Sequence, residues 1–349
     1  MYNPLNLNGL IPQLPIIQGG MGVGISLHQL AGHVASEGGI GVISSAQIGY
    51  RESDFLTHNL QANQRALQSE IKKAHTIAPQ GIIGVNIMVA LKHYKEMVQS
   101  ALTAGADLII SGAGLPINLP TFTKGSKVKL VPIVSSGKAA DIICKMWDRK
   151  NQVAPDGIIV EGPLAGGHLG FSLDSLKEKL NVLDLVKDVK KVIIPFEEKY
   201  QRKIPVIVAG GIYTGADVKK VLDAECDGVQ MATRFVTTYE CDAPPAYKQA
   251  YINAHKEDIG IIKSPVGMPG RAILNQYIQS PPGNKACLYH CLEKCEVNTI
   301  PYCISNALIS AAKGNVDQAL LFCGSNAYKA QKLEHVSEIF TEIKEAIIH

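Results

Sequence analysis

Eight short apolar, β-branched runs recur along the first two thirds of the chain, and they restrict the available folds more than any other feature of the sequence. They lie at 15–18, 40–44, 82–88, 108–111, 128–134, 157–161, 206–209 and 228–231, most of them followed by Gly, Ser, Asn or Asp. A segment of helical composition or spacing fills each gap between them. Strands that are apolar along their whole length belong to a parallel sheet covered on its outer face. Eight such units within roughly 220 residues predict a (β/α)8 barrel, with an open doubly wound sheet as the alternative.

The remaining chain is apportioned from the same pattern. Its 349 residues suffice for one barrel with an extension. The barrel is expected over 1–258. Residues 171–203 read as an insertion after the sixth strand, folded because LDLVKDVKKVI places apolar residues at helical spacing. Residues 259–349 are expected to form a helical cap packed on the barrel and ending in SEIFTEIKEAII. With 46% hydrophobic and 19% charged residues the chain can bury a large core and is poor material for disorder. A net charge of +3 marks no nucleic-acid partner. Apolar runs such as 81–91 fall short of the ~20 residues that cross a bilayer. The first basic residue is Arg51, which gives no basic leader, and eight cysteines in such a chain read as reduced thiols. The expectation is a cytoplasmic protein acting on a small molecule, without a membrane partner; a homodimer is compatible with it.

In a barrel of this kind the chemistry collects at the C-terminal ends of the strands. The first strand ends in QGGMGVG (18–24), whose glycines let backbone approach a flat ligand without Cβ interference. AGGI (209–212) and QMATRF (230–235) follow the seventh and eighth strands, where such barrels hold a phosphate on backbone N–H groups. After the sixth strand, EGPLAGGHLG (161–170) sets His168 in a glycine-rich loop, well placed for proton transfer. Arg234 reads as an ion-pair partner, His28 and His33 as structural, and 111–116 as either a pocket edge or a plain turn. Five cysteines fall in the tail: Cys287, Cys291, Cys295, Cys303 and Cys323. The spacing Cys287-x3-Cys291-x3-Cys295 predicts three thiols on one helical stripe. Zinc or an iron–sulfur cluster could sit there, with Cys303 or His290 completing the shell. The spacing is not C-x2-C, however, and apolar packing is the default reading, with no metal assigned.

Taken in order, QGGMG (18–22), GVNIMV (84–89), EGPLAGGHLG (161–170), PVIVAGGI (205–212) and GVQMATRF (228–235) resemble the FMN-dependent nitronate monooxygenases, formerly called 2-nitropropane dioxygenases. The same superfamily contains the flavin-dependent type II enoyl-acyl-carrier-protein reductases. The resemblance covers roughly residues 12–280 and implies a TIM barrel with a smaller inserted or appended domain, binding FMN. By this resemblance Gly20, Met21 and Gly22 would pack their backbone on the isoalloxazine ring, and Asn86 and Glu161 would contact the flavin. Gly166, Gly167, Gly210 and Gly211, with Gln230, Met231, Ala232 and Thr233, would complete the cofactor site at its phosphate end. His168 would stand near the reactive face as acid or base. Gly20 stands where the family often has Pro, Leu164 where it has Glu, and Ala232 where it has Gly. Glu161, where many monooxygenases have Gln, is closer to the reductases. The tail from Ser264 to Arg271 onward departs from both branches.

The implied activity is oxidation of alkyl nitronates by O2 to a carbonyl compound and nitrite. NAD(P)H-dependent reduction of an enoyl thioester is the alternative, and a non-catalytic flavin-binding protein the third reading. For a neutral nitroalkane, His168 would first remove the α-proton, a capacity lost as the ring protonates near its ordinary ~6.5. The inosine-monophosphate dehydrogenase type shares the AGGI turn, but it needs a nucleophilic Cys that the turns after strands one to seven lack.

Overall fold

The computed structural model describes residues 2–178, 180–281, 283, 287–293, 295 and 298–348. Within each apolar run, alternate side chains go to opposite faces of the sheet, and both faces are buried. The strands are β1 (Ile16–Gln18), β2 (Ile40–Ser44), β3 (Ile82–Met88), β4 (Leu108–Gly112), β5 (Lys129–Val134), β6 (Ile158–Glu161), β7 (Gly167–His168), β8 (Val206–Ala209) and β9 (Gly228–Met231). All except β7 join in a closed parallel barrel, in which β9 returns to β1 through Ile16↔Val229, Ile17↔Gln230 and Gln18↔Met231. Ile17, Ile40, Val42, Leu108, Ile110, Val131, Ile159 and Ile207 fill the interior. Leu5 and Leu7 pack with them, against the starts of β9 and β6, and close the N-terminal end. The opposite set, including Ile16, Ile43, Ile83 and Val85, meets the helices.

Those helices are α1 (His28–Ser36), α2 (Asn59–Ile77), α3 (Tyr94–Thr103), α4 (Leu119–Phe122), α5 (Gly137–Asn151), α6 (Val182–Tyr200), α7 (Gly215–Asp223), α8 (Thr233–Val236), α9 (Pro245–Ile252), α10 (Gln276–Gln279), α11 (Ile304–Ala312) and α12 (Val336–Ile348). No helix among the described residues is long and apolar enough to cross a membrane.

The division of the chain differs from expectation in two places. First, α6 packs on α5, β6 and β8, so it is the barrel's own sixth helix and not part of an insertion. The extra chain there is the loop between Glu161 and Val182, which carries β7. Second, the helix slot between α7 and α1 is filled by α12, from the far end of the chain, because α8 has only four residues. Val336, Ile339, Phe340 and Ile343 of α12 are fully buried there. Residues 237–335 are therefore an excursion between β9 and its barrel helix. The extension contains helices, as expected, and also the hairpin of β10 (Ile259–Lys263) and β11 (Pro269–Ile273). β11 pairs in turn with β7, through Gly270↔His168 and Arg271↔Gly167.

Candidate active site at the C-terminal mouth of the barrel

Register sets the ring of residues at the mouth. Gln18 stands opposite Met231, Ser44 opposite Asn86, Glu161 opposite Ala209, and Ala209 opposite Gln230. Gln18 is wholly buried; its side-chain Oε1 accepts from Val42 N (3.0 Å), which ties β1 to β2. Gly20 packs against β3 so closely that a Cβ there would lie 2.5 Å from Asn86 Cβ, and one at Gly22 would lie 2.8 Å from both Ser44 Oγ and Ala46 Cβ. Met21 is partly buried, its backbone N–H donating to Ser26 Oγ (2.8 Å). Gly210 and Gly211 have φ of +95° and +81°, a region L side chains rarely adopt, and the turn they make rests on Leu164 and Ala165.

The sixth-strand loop is held from the cap. Arg271 Nη1 donates to the carbonyls of Pro163 (2.8 Å) and Ala165 (2.5 Å). A Cβ at Gly166 would meet the backbone of Cys323 and Gly324. The segment 323–326 then crosses to the other strand ends: Ser325 N donates to Leu164 O (3.2 Å), Gly324 N to Thr233 Oγ1 (2.9 Å) and Asn326 Nδ2 to Gly211 O (2.7 Å). The sequence-predicted residues Gly166, Gly211 and Thr233 are thus gathered under one cap segment.

His168 belongs to β7 and faces the cap hairpin. Its Nε2 is 2.8 Å from Ser264 Oγ, and its ring meets Phe322 edge-on at 4.9 Å. Burial in these surroundings pushes its pKa down to about 4, so the ring is neutral at pH 7. Glu161 experiences the converse: burial pushes its pKa up to about 8, leaving a neutral carboxyl at pH 7. Both side chains are only partly exposed, and the protein around them supplies little of the solvation that bulk water would give a charge.

Among the described residues, the buried Gln230 Oε1 and Ser325 Oγ near the mouth have no hydrogen-bond partner. Met231 and Ala232 continue from Gln230 into α8, and Ala232 packs beneath Gly19. Arg234 pairs with Glu334 (3.1 Å) and Glu342 (2.5 Å) and donates to Tyr213 O, a structural tie as expected. His28 likewise pairs with Glu70 (2.6 Å). Leu115 and Pro116 line a groove of about 520 Å³ with Val89, Leu91 and Phe122, beside the ends of β3 and β4. Sequence reading missed Ser264, Arg271, Phe322 and Ser325. The signal available was IGIIK-SPVGM-PGRAIL, two β-prone runs around a Gly/Pro turn. The helical stripe predicted for Cys287, Cys291 and Cys295 is absent: the described part of this segment contains no helix. Apolar packing describes Cys144, Cys226, Cys241 and Cys323, which are buried, but not the exposed Cys295.

The chain matches the family model described as nitronate monooxygenase over residues 6–345. It is 24% identical to a probable nitronate monooxygenase of Staphylococcus saprophyticus, across 95% of this chain and 94% of that protein. It is 26% identical to the (3aS,4S,5R,7aS)-5-hydroxy-7a-methyl-1-oxo-octahydro-1H-indene-4-carboxyl-CoA dehydrogenase of Rhodococcus jostii, across 77% of this chain but only 65% of that protein. Among solved structures it resembles FabK from Thermotoga maritima (22% identity, 97% of this chain, 93% of that chain, TM-score 0.72). It also resembles nitroalkane oxidase from Streptomyces ansochromogenes (20% identity, 96% of this chain, 97% of that chain, TM-score 0.72). At these identities the likeness to the two structures is one of fold. The family model spans nearly the whole chain, and the protein belongs to the nitronate monooxygenase family of oxidoreductases.

Proposed function

We propose that the protein is an FMN-dependent monooxygenase that converts an alkyl nitronate and O2 to a carbonyl compound and nitrite. The observation that carries this reading is a neutral imidazole, His168, bonded to Ser264 beside a mouth lined by glycines. The residues present fit a flavin. Gln230 Oε1 and Ser325 Oγ are buried and unpartnered, an acceptor and a hydroxyl suited to the ribityl hydroxyls and the phosphate. Backbone alone forms the approach at Gly210 and Gly211, as an anionic tail held by amides requires. In this reading Gly20, Met21 and Gly22 lie along the ring, Asn86 and Glu161 bond to it, and Gly166, Gly167, Ala232 and Thr233 surround the phosphate end. The neutral carboxyl of Glu161 can both donate and accept, as the amide of a Gln would. The bound flavin would supply two-electron oxidation of the substrate and reaction with O2.

Burial of His168 decides between substrates. A ring that resists protonation is a weak base, so removing a proton from carbon in a neutral nitroalkane is costly for it. An anionic nitronate makes no such demand. Protonating an enoyl thioester would require the charged ring, which its surroundings disfavour at neutral pH, so the reductase reading loses its acid.

The test is turnover of propyl-2-nitronate and of 2-nitropropane by the wild type and by His168→Asn. A yellow protein active on nitronate is expected. The substitution should lower nitroalkane turnover by about 100-fold or more, the usual contribution of a positioned base, and change nitronate turnover only severalfold. Equal losses on both would remove the base role. Rapid anaerobic bleaching by NADH or NADPH would favour the reductase instead.

A further inference from the structure

The cap sheet sets two rings side by side. Gly270 and Ala272 of β11 pair on one edge with Ile262 and Gly260 of β10. On the other edge Gly270 pairs with His168 of β7, and Ala272 with Phe322. Ile273 N donating to Leu321 O (3.0 Å) and Cys323 N donating to Arg271 O (3.1 Å) hold the segment 321–323 in that register. Residues directly opposite one another lie on the same face of a sheet, and so do residues two apart along a strand. His168 and Phe322 therefore project from one face, where β11 offers only a glycine and an alanine beside them.

Phe322 occupies the space that Gly270 leaves. A Cβ at 270 would lie 2.9 Å from Phe322 Cε1 and 3.6 Å from Ile262 Cγ1. From this position the phenyl ring meets the His168 imidazole edge-on, with centroids 4.9 Å apart and planes at 65°, an arrangement that aromatic pairs favour. The backbone behind the phenyl ring is fixed from α9, where the hydroxyl of the buried Tyr251 donates to Phe322 O. The imidazole is thus held twice, by Ser264 Oγ on Nε2 (2.8 Å) and by the phenyl ring. A single hydrogen bond would let the ring swing about it, and the second contact opposes that swing.

We propose that Phe322 is a positioning residue for His168: it fixes the plane of the imidazole, in a space that the glycine at 270 keeps open. The inference rests on the base role given to His168 above. A base that takes a proton from carbon has to aim its lone pair at that proton, and the cap would supply the aim. Burial, not a charged neighbour, keeps the ring neutral. Of the titratable groups on the surrounding elements, Arg271 is turned to the carbonyls of Pro163 and Ala165, and Lys263 of β10 is exposed. The Cys323 thiol is pushed up to about 12, and Glu161 carries a neutral carboxyl at pH 7.

The test compares Phe322→Leu and Gly270→Ala with the wild type, each carrying 15N-labelled histidine, with the His168 signals assigned by their loss in His168→Asn. A single imidazole tautomer at pH 7 is expected in the wild type. Both variants should show a mixture of the two, since leucine has no ring edge and a methyl group at 270 displaces the phenyl ring. In Phe322→Leu the protonation midpoint should stay below 6.5, because the cover remains apolar and the base form is kept. The kcat for 2-nitropropane should nevertheless fall about tenfold, with KM within about twofold, as expected of a misaimed group. Turnover of propyl-2-nitronate, which needs no proton removed, should hold. A single tautomer retained in both variants, with nitroalkane kcat unchanged, would overturn the proposal. So would a loss of kcat that merely follows a raised midpoint, since Phe322 would then only shield the ring. If Phe322→Leu fails to fold, Gly270→Ala, which keeps the phenyl group, decides alone. The tautomer comparison does not depend on the reaction: a wild type inactive on both substrates would end the monooxygenase reading, and the role of Phe322 in fixing the ring would still be decided by it.

Discussion

At His168 and Glu161 a single cause, burial, moves two pKa values in opposite directions. Desolvation disfavours whichever form is charged, so the imidazole stays unprotonated and the carboxyl stays protonated. The base form of His168 therefore persists as the pH falls toward about 4, well below the 6.5 of a free histidine. The neutral form of Glu161 persists as the pH rises toward about 8. The expected profile of kcat/KM for a neutral nitroalkane is flat through pH 6.5, with its upper limb near pH 8 caused by Glu161. Glu161→Gln should remove that limb and retain the flavin, because an amide keeps the donor and acceptor but cannot ionise. An acid limb centred near 6.5, or an upper limb that survives in Glu161→Gln, would contradict these assignments. Glycines on both sides of His168 mark a turn-rich segment after the sixth strand, and the structure places His168 there in the two-residue strand β7. Its partner Ser264 was not legible, lying 96 residues away and joined to it only through a sheet that forms across the cap.

The barrel strands were legible almost to the residue, because a strand buried on both faces has to be apolar along its length and β-branched residues fit the pleat. β7 has two residues and no such signature; it exists only because β11 is there to pair with it. Glycines in the strands and strand-end loops show which contacts fix the elements. A Cβ on Gly41 of β2 would stand 1.8 Å from Ala31 O in α1, a collision with backbone that no side-chain rotation can relieve. A Cβ on Gly20 would instead stand 2.5 Å from Asn86 Cβ, at the site. Gly41→Ala should cost about 3 kcal/mol or more in denaturant unfolding, the upper range for overpacking. Gly20→Ala should cost about 1–2 kcal/mol, because the first-strand loop can retreat, while the fraction of chains that retain flavin falls sharply. If the two substitutions lower stability equally and leave flavin content alike, the first-strand loop is not a cofactor wall.

For the whole molecule, the excursion of 237–335 means that the barrel is not complete until the chain has nearly ended. A helix that continues directly from its strand can be placed by sequence order, and α1 to α3, α5 and α7 were read in that way, whereas α6 was read as part of an insertion. The occupant of the eighth slot could not be, because SEIFTEIKEAII shows a helix with one apolar face and gives no indication of what that face meets. In the structure it meets α7 and α1, and Glu342 extends the tie by accepting from Gly215 N (2.8 Å) and from Arg234. Val336, Ile339, Phe340 and Ile343 together contribute about 6–12 kcal/mol, at 1.5–3 kcal/mol for each fully buried side chain. That is comparable with the entire stability of a typical domain, about 5–15 kcal/mol. A fragment of residues 1–258, which holds every barrel strand, should therefore not fold. It would leave apolar surface of α7 and α1 open to water, where the intact chain covers it with α12. The expected result is loss of a cooperative thermal transition and binding of an apolar dye by the fragment, with partial recovery on adding a peptide of residues 331–348. A fragment that melts cooperatively without the peptide would show that 1–258 is a self-sufficient unit and that α12 only decorates it.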